Sequence, residues 1–180
     1  METQHYSRVA VVLHWLIAVL IALNFAAAWI AEDMPKVQKM EIMATHKAIG
    51  LTILALTLVR IVWRLMHKAP PLSSALAAWE AALAKVTHGL FYFLMLFIPL
   101  TGWGMASGWG KPISWFGLFG VPPLPVGDSK VLGGIFHESH EVLATAMLAL
   151  IALHVAGALK HQILDRDDTM ARMVPFLRRR

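Results

Sequence analysis

The sequence predicts an all-α fold, an integral membrane bundle of four helices, and three observations carry that expectation. First, Val9–Ala31 holds no formal charge over about the 20 residues that cross a bilayer, and three further apolar runs follow it. Second, 58% of the 180 residues are hydrophobic and only 15% charged, too few charges to clothe a soluble domain of this size. Third, proline- and glycine-rich stretches fall between the runs rather than inside them. The spans are read as about 8–31, 41–66, 82–106 and 138–164.

The first run is too long for the apolar core of a signal peptide, and it holds His14, Trp15 and Asn24, so it is expected to remain as a helix. A short connection of mixed charge (Glu32, Asp33, Lys36, Lys39, Glu41) leads to the second run, Ala44–Met66. Pro70-Pro71 stops that helix, and Ser73-Ser74 precede the third. The third run, His88–Ala106, is followed by segment 107–136, with Trp109, Trp115, Phe116, Phe119, Pro122, Pro123 and Pro125. That segment is too broken to span. It is expected to lie on the outer interface within an aromatic belt, as a lid over what sits below. The fourth run, Val142–Leu159, is interrupted only by His154. With no repeat and no soluble segment, residues 1–180 read as a single transmembrane domain.

The absence of cysteine excludes disulfides, iron–sulfur ligation and covalent c-type haem. The net charge is +5, but the distribution of Lys and Arg matters more than the sum. An even number of spans puts both termini on one side. Arg8, Arg60, Arg64, Lys68, Lys85, Lys160, Arg166, Arg172 and Arg178–Arg180 fall there, against Lys36, Lys39, Lys47, Lys111 and Lys130 opposite. The positive-inside rule makes the terminal side cytoplasmic. The basic tail Arg178–Arg180 reads as a contact to anionic lipid and not as a nucleic-acid site.

Several of the nine histidines lie within apolar runs, where an ionisable residue is costly and marks a functional site by default. His140 and His154 are fourteen positions apart. On an α-helix they differ by about 40° in direction and lie roughly 21 Å apart along the axis. Helix one brings His14 just inside the inner boundary, at the level of His154. Helix two brings His46 just inside the outer boundary, at the level of His140. Two pairs of histidines on facing helices are how a haem iron is held from both sides, so two haems stacked across the bilayer are expected. The four axial ligands are then His14, His154, His46 and His140.

The remaining histidines compete for these roles. His137 points about 100° away from the His154 face and ranks below His140. His88, near the inner end of helix three, is an alternative to His14 or His154, or a hydrogen-bonding neighbour of the inner haem or quinone. His161 lies close to the cytoplasmic surface on nearly the His154 face. It is either a snorkelling residue or one that hydrogen-bonds or protonates a quinone. His5 and His67 are expected at the surface. Arg8, Arg60 and Arg64 are candidates for the propionates of the inner haem, and Lys47 for the outer one. Topology and snorkelling alone are the slightly favoured account of any single arginine.

Arg8 … His14-Trp15, Thr45-His46-Lys47-Ala48-Ile49-Gly50, His140-Glu141 … Leu153-His154 and the tail Asp165–Pro175 together resemble the bacterial cytochrome b561 family. The likeness extends over essentially the whole chain. It implies an inner-membrane di-haem b cytochrome coupled to the quinone pool, with His14 and His154 on the cytoplasmic-side haem and His46 and His140 on the periplasmic-side one. Similar members oxidise superoxide at the periplasmic face and reduce ubiquinone, which would make this chain a superoxide:quinone oxidoreductase. Related proteins serve instead as cytochrome b subunits between a partner dehydrogenase or hydrogenase and the quinone pool. In that reading segment 107–136 would be the docking surface.

A haem iron with two axial histidines has no open position, so outer-sphere electron transfer is the expected chemistry. An anionic donor such as superoxide would be drawn by Lys36, Lys39 and Lys47, a field that Glu32, Asp33 and Glu41 partly cancel. The third reading is a non-haem membrane protein whose histidines bind metal or relay protons. Relay residues, however, need not fall into two opposed pairs.

Overall fold

A computed structural model describes residues 6–68, 70–71, 77–167 and 169–174. His5, Ser73-Ser74 and Arg178–Arg180 lie outside the described residues. The expected four helices are present: α1 (Arg8–Glu32), α2 (Lys36–Met66), α3 (Ala78–Gly108) and α4 (Lys130–Lys160). All four are long and apolar enough to cross a membrane. At about 46 Å for 31 residues, α2, α3 and α4 exceed the hydrocarbon core and carry polar turns beyond it.

Those polar turns explain why three helices begin earlier than the apolar runs do. In α2, Lys36–Glu41 continues the helix into the charged outer connection, with Pro35 ahead of it. In α3, the Glu80 carboxylate accepts the Ala77 N–H at 3.0 Å and starts the helix at Ala78. The largest difference is in α4, which begins at Lys130 where the Ser129 hydroxyl accepts the Leu132 N–H at 3.3 Å. Gly133 and Gly134 are poor helix formers, so propensity hides the first two turns of α4.

Packing decides those turns. A Cβ on Gly108 would sit 2.7 Å from the Gly133 nitrogen, and one on Gly133 would sit 2.2 Å from Cδ1 of Trp109. The outer ends of α3 and α4 thus touch backbone to backbone, as small residues permit in membranes.

Contacts join α1 to α2, α2 to α3 and α3 to α4. Ile17, Ile53, Leu94, Met95 and Met147 form the buried core, one or two from each helix. The outward faces are apolar and open, with Val12 62% and Leu153 70% exposed. In water such a surface would drive aggregation; in lipid it is the solvent-facing side.

Within segment 107–136 only residues 109–129 leave the helices, and they carry a hairpin of β1 (Ile113–Trp115) and β2 (Phe119–Val121). The strands pair antiparallel, Ile113 with Val121 and Trp115 with Phe119. Phe116 and Gly117 turn the chain at φ 50° and 77° within a three-residue connection, closed by the Leu118 N–H donating to the Trp115 carbonyl at 3.0 Å. The Trp115 indole donates to Thr52 Oγ1 at 3.1 Å and holds the hairpin along α2, leaving Phe116, Leu118 and Phe119 exposed.

At the opposite end, α4 widens into a π-helical turn, His161–Asp165, and the chain folds back. Trp15 Nε1 donates to the Met173 carbonyl at 2.9 Å, and Ala171 and Val174 are buried beneath the bundle. Gly108→Ala is expected to lower the thermal midpoint in detergent by overpacking the α3–α4 contact, at a cost of about 1–3 kcal/mol. An unchanged midpoint would mean that the helices separate freely there.

Candidate functional site

Histidine rings gather at two levels of the bundle. At the outer level His46 of α2 faces His140 of α4, with ring centroids 6.2 Å apart and planes at 70°. At the inner level His14 of α1 faces His154 of α4, at 6.3 Å and 67°. The two α4 rings stand roughly 21 Å apart along the helix. Met147, 2% exposed, lies midway between them within the apolar core.

The separations bear on what each pair can hold. A metal–imidazole bond of about 2.0 Å on each side, with a ring radius of about 1.1 Å, puts two trans imidazole centroids about 6.2 Å apart. Both pairs have that spacing. They are too far apart to hydrogen-bond each other directly and suited to one iron between them.

Backbone carbonyls orient the outer rings. His46 Nδ1 lies 3.1 Å from the Asn24 carbonyl, and His140 Nδ1 lies 2.9 Å from the Ile98 carbonyl. A carbonyl only accepts, so Nδ1 carries the proton in each ring and Nε2 is left for a ligand bond. The Thr101 hydroxyl also donates to the Ile98 carbonyl at 2.8 Å and stands 3.3 Å from His140 Nδ1. Gly102 makes the room: a Cβ there would meet His140 Cε1 at 3.1 Å. Asn24 Oδ1 and Thr57 Oγ1 are buried without a protein partner among the described residues, polar atoms that a bound group can satisfy.

The inner level holds a third ring. His88 of α3 lies 6.0 Å from His154, at 68°, while the Phe91 ring packs edge-on to His154 at 5.2 Å. Both His14 and His88 therefore stand at ligand spacing from His154. Arg60 lies beside this level, half-buried, with Nη1 donating to the Ala10 carbonyl at 3.3 Å and Nε to the Tyr92 hydroxyl at 3.4 Å. Ala10 is one helical turn before His14. Arg8 is exposed on the first turn of α1, and the Arg64 guanidinium lies 6.0 Å from the Tyr6 ring centroid.

The other candidates fall elsewhere. Lys47 Nζ donates to the Pro112 carbonyl at 3.2 Å and ties α2 to the start of the hairpin. His137 turns to the outer rim, 5.4 Å from the Trp109 ring and 3.5 Å from Glu141. His67 is exposed and stacks on Trp63 at 3.9 Å. His161 sits in a polar cluster, with Nδ1 2.9 Å from both Asp165 and Asp167. Burial alone would push the Asp167 carboxyl up, but the Thr169 hydroxyl and N–H, with His161, hold it below its usual range. Glu80, His161 and Asp165 lie close enough to share a metal ion, yet Lys160 Nζ already bridges the two carboxylates at 2.7 and 2.6 Å.

Sequence patterns did not single out Asn24, Ile98, Thr101, Gly102 or Tyr92. The carbonyls of Asn24 and Ile98 carry no residue-type signal. Pro99 and Gly102, three positions apart in a helical run, were the available hint that α3 meets something closely there.

The chain is similar to known proteins. The description prokaryotic cytochrome b561 matches residues 5–176. The chain is 28% identical to cytochrome b561 homolog 2 of Escherichia coli strain K12, over 95% of this chain and 92% of the relative. It is 27% identical to cytochrome b561 homolog 1 of the same organism, over 94% and 97%. It is also 26% identical to the probable superoxide oxidase CybB of Yersinia pestis, over 94% and 96%. With a match across nearly its whole length, the chain belongs to the prokaryotic cytochrome b561 family, multi-pass inner-membrane electron-transfer proteins with b-type haem.

Proposed function

We propose that this chain binds two b-type haems, one between His14 and His154 and one between His46 and His140, and passes electrons from superoxide to ubiquinone. The observation that carries the reading is the repetition of one geometry: two opposed imidazole pairs at 6.3 and 6.2 Å, on a single face of α4. A haem held between the two imidazoles of such a pair would supply one-electron exchange. The likeness to a probable superoxide oxidase supports the choice of donor.

The chain's own residues supply the rest. His14 is preferred to His88 because it belongs to the Arg8 … His14-Trp15 pattern of the family resemblance, which leaves His88 as the inner ring's polar neighbour. Arg60, held beside the inner pair by Ala10 and Tyr92, would meet a propionate there, with Arg8 and Arg64 nearer the surface. At the outer level Lys47, anchored on Pro112, places a cation next to His46, and Lys36 and Lys39 extend that field against Glu32, Asp33 and Glu41. The excess of Lys and Arg at the terminal side makes that side cytoplasmic, so His46 and His140 lie toward the periplasm. His161, one turn pair below His154, is the residue assigned to hydrogen-bond ubiquinone.

Pyridine haemochrome assay is expected to give two haems per chain. His14→Ala and His46→Ala should each lose about half of that content, and His88→Ala should keep it; loss on His88→Ala instead would exchange the roles of His88 and His14. Gly102→Val should displace the His140 ring and lower the occupancy of the outer haem alone, read from the reduced-minus-oxidised spectrum. A pulse of superoxide should reduce the air-oxidised haems, excess dismutase should abolish this, and added ubiquinone should reoxidise them. Lys47→Glu should slow the reduction at low salt and less so at high salt. Bands that dithionite reduces and superoxide does not would turn the search toward a protein donor.

A further inference from the structure

Thr57 of α2 is wholly enclosed, 0% exposed, yet its Oγ1 has no hydrogen-bond partner among the described residues. Other helical hydroxyls of the bundle are satisfied locally. Thr52 donates to the Ala48 carbonyl at 2.9 Å, Ser107 to Trp103 at 2.9 Å, Ser139 to Ile135 at 2.8 Å and Thr145 to Glu141 at 2.9 Å, each one turn back. Thr57 makes no such bond to Ile53. Leaving a buried hydroxyl unpaired is costly, and valine would fill the same shape without that cost. The hydroxyl is thus a donor held in reserve for a bound group.

Its position identifies that group. α1 and α2 run antiparallel in a register fixed by Asn24 against His46, Ala10 against Arg60 and Ser7 against Trp63. The register sets Thr57 opposite Leu13, next to His14 and so at the inner histidine level. On α2 it shares a face with Ile53 of the core and with Arg60, one turn toward the terminal side. Arg60 Nε donates to the Tyr92 hydroxyl at 3.4 Å, a bond in which Tyr92 accepts and its own O–H is not spent. Two hydroxyls and a guanidinium thus fall within one turn of α2, and none of them is bonded to a carboxylate among the described residues. At the rim of a b-type haem the hydrogen-bond acceptors are the oxygens of its two propionates; its methyl and vinyl groups accept nothing. A carboxylate is also the acceptor to which such donors bond most strongly.

We propose that the Thr57 hydroxyl donates to a propionate of the haem held by His14 and His154, joining Arg60 and Tyr92 in one carboxylate-binding site, and so raises the midpoint potential at the inner level. The inference rests on the di-haem reading above. Each donor draws negative charge away from a carboxylate in surroundings of low dielectric, where the effect is strong. Less negative charge there eases the addition of an electron. Thr57 therefore biases electrons toward the inner level through a hydrogen bond alone, without touching either axial ligand.

The test is a redox titration of the full-length, haem-loaded protein in detergent, followed at the reduced haem band and by resonance Raman spectroscopy. Thr57→Val removes the hydroxyl and keeps the shape. It is expected to retain two haems per chain and to lower one midpoint alone, that of the component which His46→Ala retains. At the wild-type midpoint the reduced-to-oxidised ratio of that component should fall about threefold, a shift of about 30 mV at 59 mV per tenfold for one electron. The propionate bending band of the same haem should move as well, and Thr57→Ser should restore both. Two bound haems with both midpoints and the Raman band at wild-type values would overturn the role of Thr57 and leave the di-haem reading standing. So would a shift common to both haems, or one that Thr57→Ser fails to reverse. A single haem per chain in the wild-type protein would overturn the di-haem reading and the role of Thr57 with it.

Discussion

An imidazole in the apolar interior of a membrane bundle has to find partners for both of its nitrogens, and the architecture follows from meeting that demand. In the outer pair Nδ1 is satisfied by the main chain: the carbonyls of Asn24 and Ile98 come from α1 and α3, so the ring of one helix is fixed by the backbone of another. That leaves Nε2 of each ring for a ligand bond, with the ring centroids 6.2 Å apart across the gap. Each ring thereby ties two helices, α1 to α2 and α3 to α4. The ring positions are set before any group enters the gap, which lowers the ordering cost of binding.

The same demand explains why the helices pack unevenly. α1 meets α2, α2 meets α3 and α3 meets α4, while the histidines of α4 face rings on α1 and α2. The bundle compensates at its two ends. Outside, Gly108, Trp109 and Gly133 close α3 on α4, and Trp115 and Lys47 fasten the hairpin to α2. Inside, Lys160 joins Glu80 at the start of α3 to Asp165 beyond the end of α4, and Trp15 holds the returning tail.

Much of this was legible in the residues, for reasons that also mark where legibility ends. The helices follow from runs such as Val9–Ala31, because a spanning segment must satisfy its own backbone and present apolar side chains. The shared face of His140 and His154 follows from helical geometry alone. The early start of α4 did not, because Gly133 and Gly134 read as breakers until Trp109 is seen to need the space. Carbonyl partners are silent in any sequence, so Asn24 and Ile98 gave no signal. His14 and His88 remain equal by spacing, since both helices bring a ring to His154 at the same depth. The tail Asp165–Pro175 entered only as part of the family resemblance; the π-helical turn is what brings Asp165 and Asp167 to one imidazole nitrogen.

Met147 and its neighbours have a consequence of another kind. Between the two histidine levels, Ile17, Ile53, Leu94, Met95 and Met147 make a closed apolar layer. The five side chains of that layer carry no hydroxyl, amide or charge, so an ion or a proton crossing among them would have to shed its hydration without replacement. An electron carries no hydration shell of its own and needs no such stepping stones. The middle of this bundle is thus a filter by particle type, conducting where tightly packed and insulating for the same reason, and a membrane that holds a proton gradient can carry it without a leak.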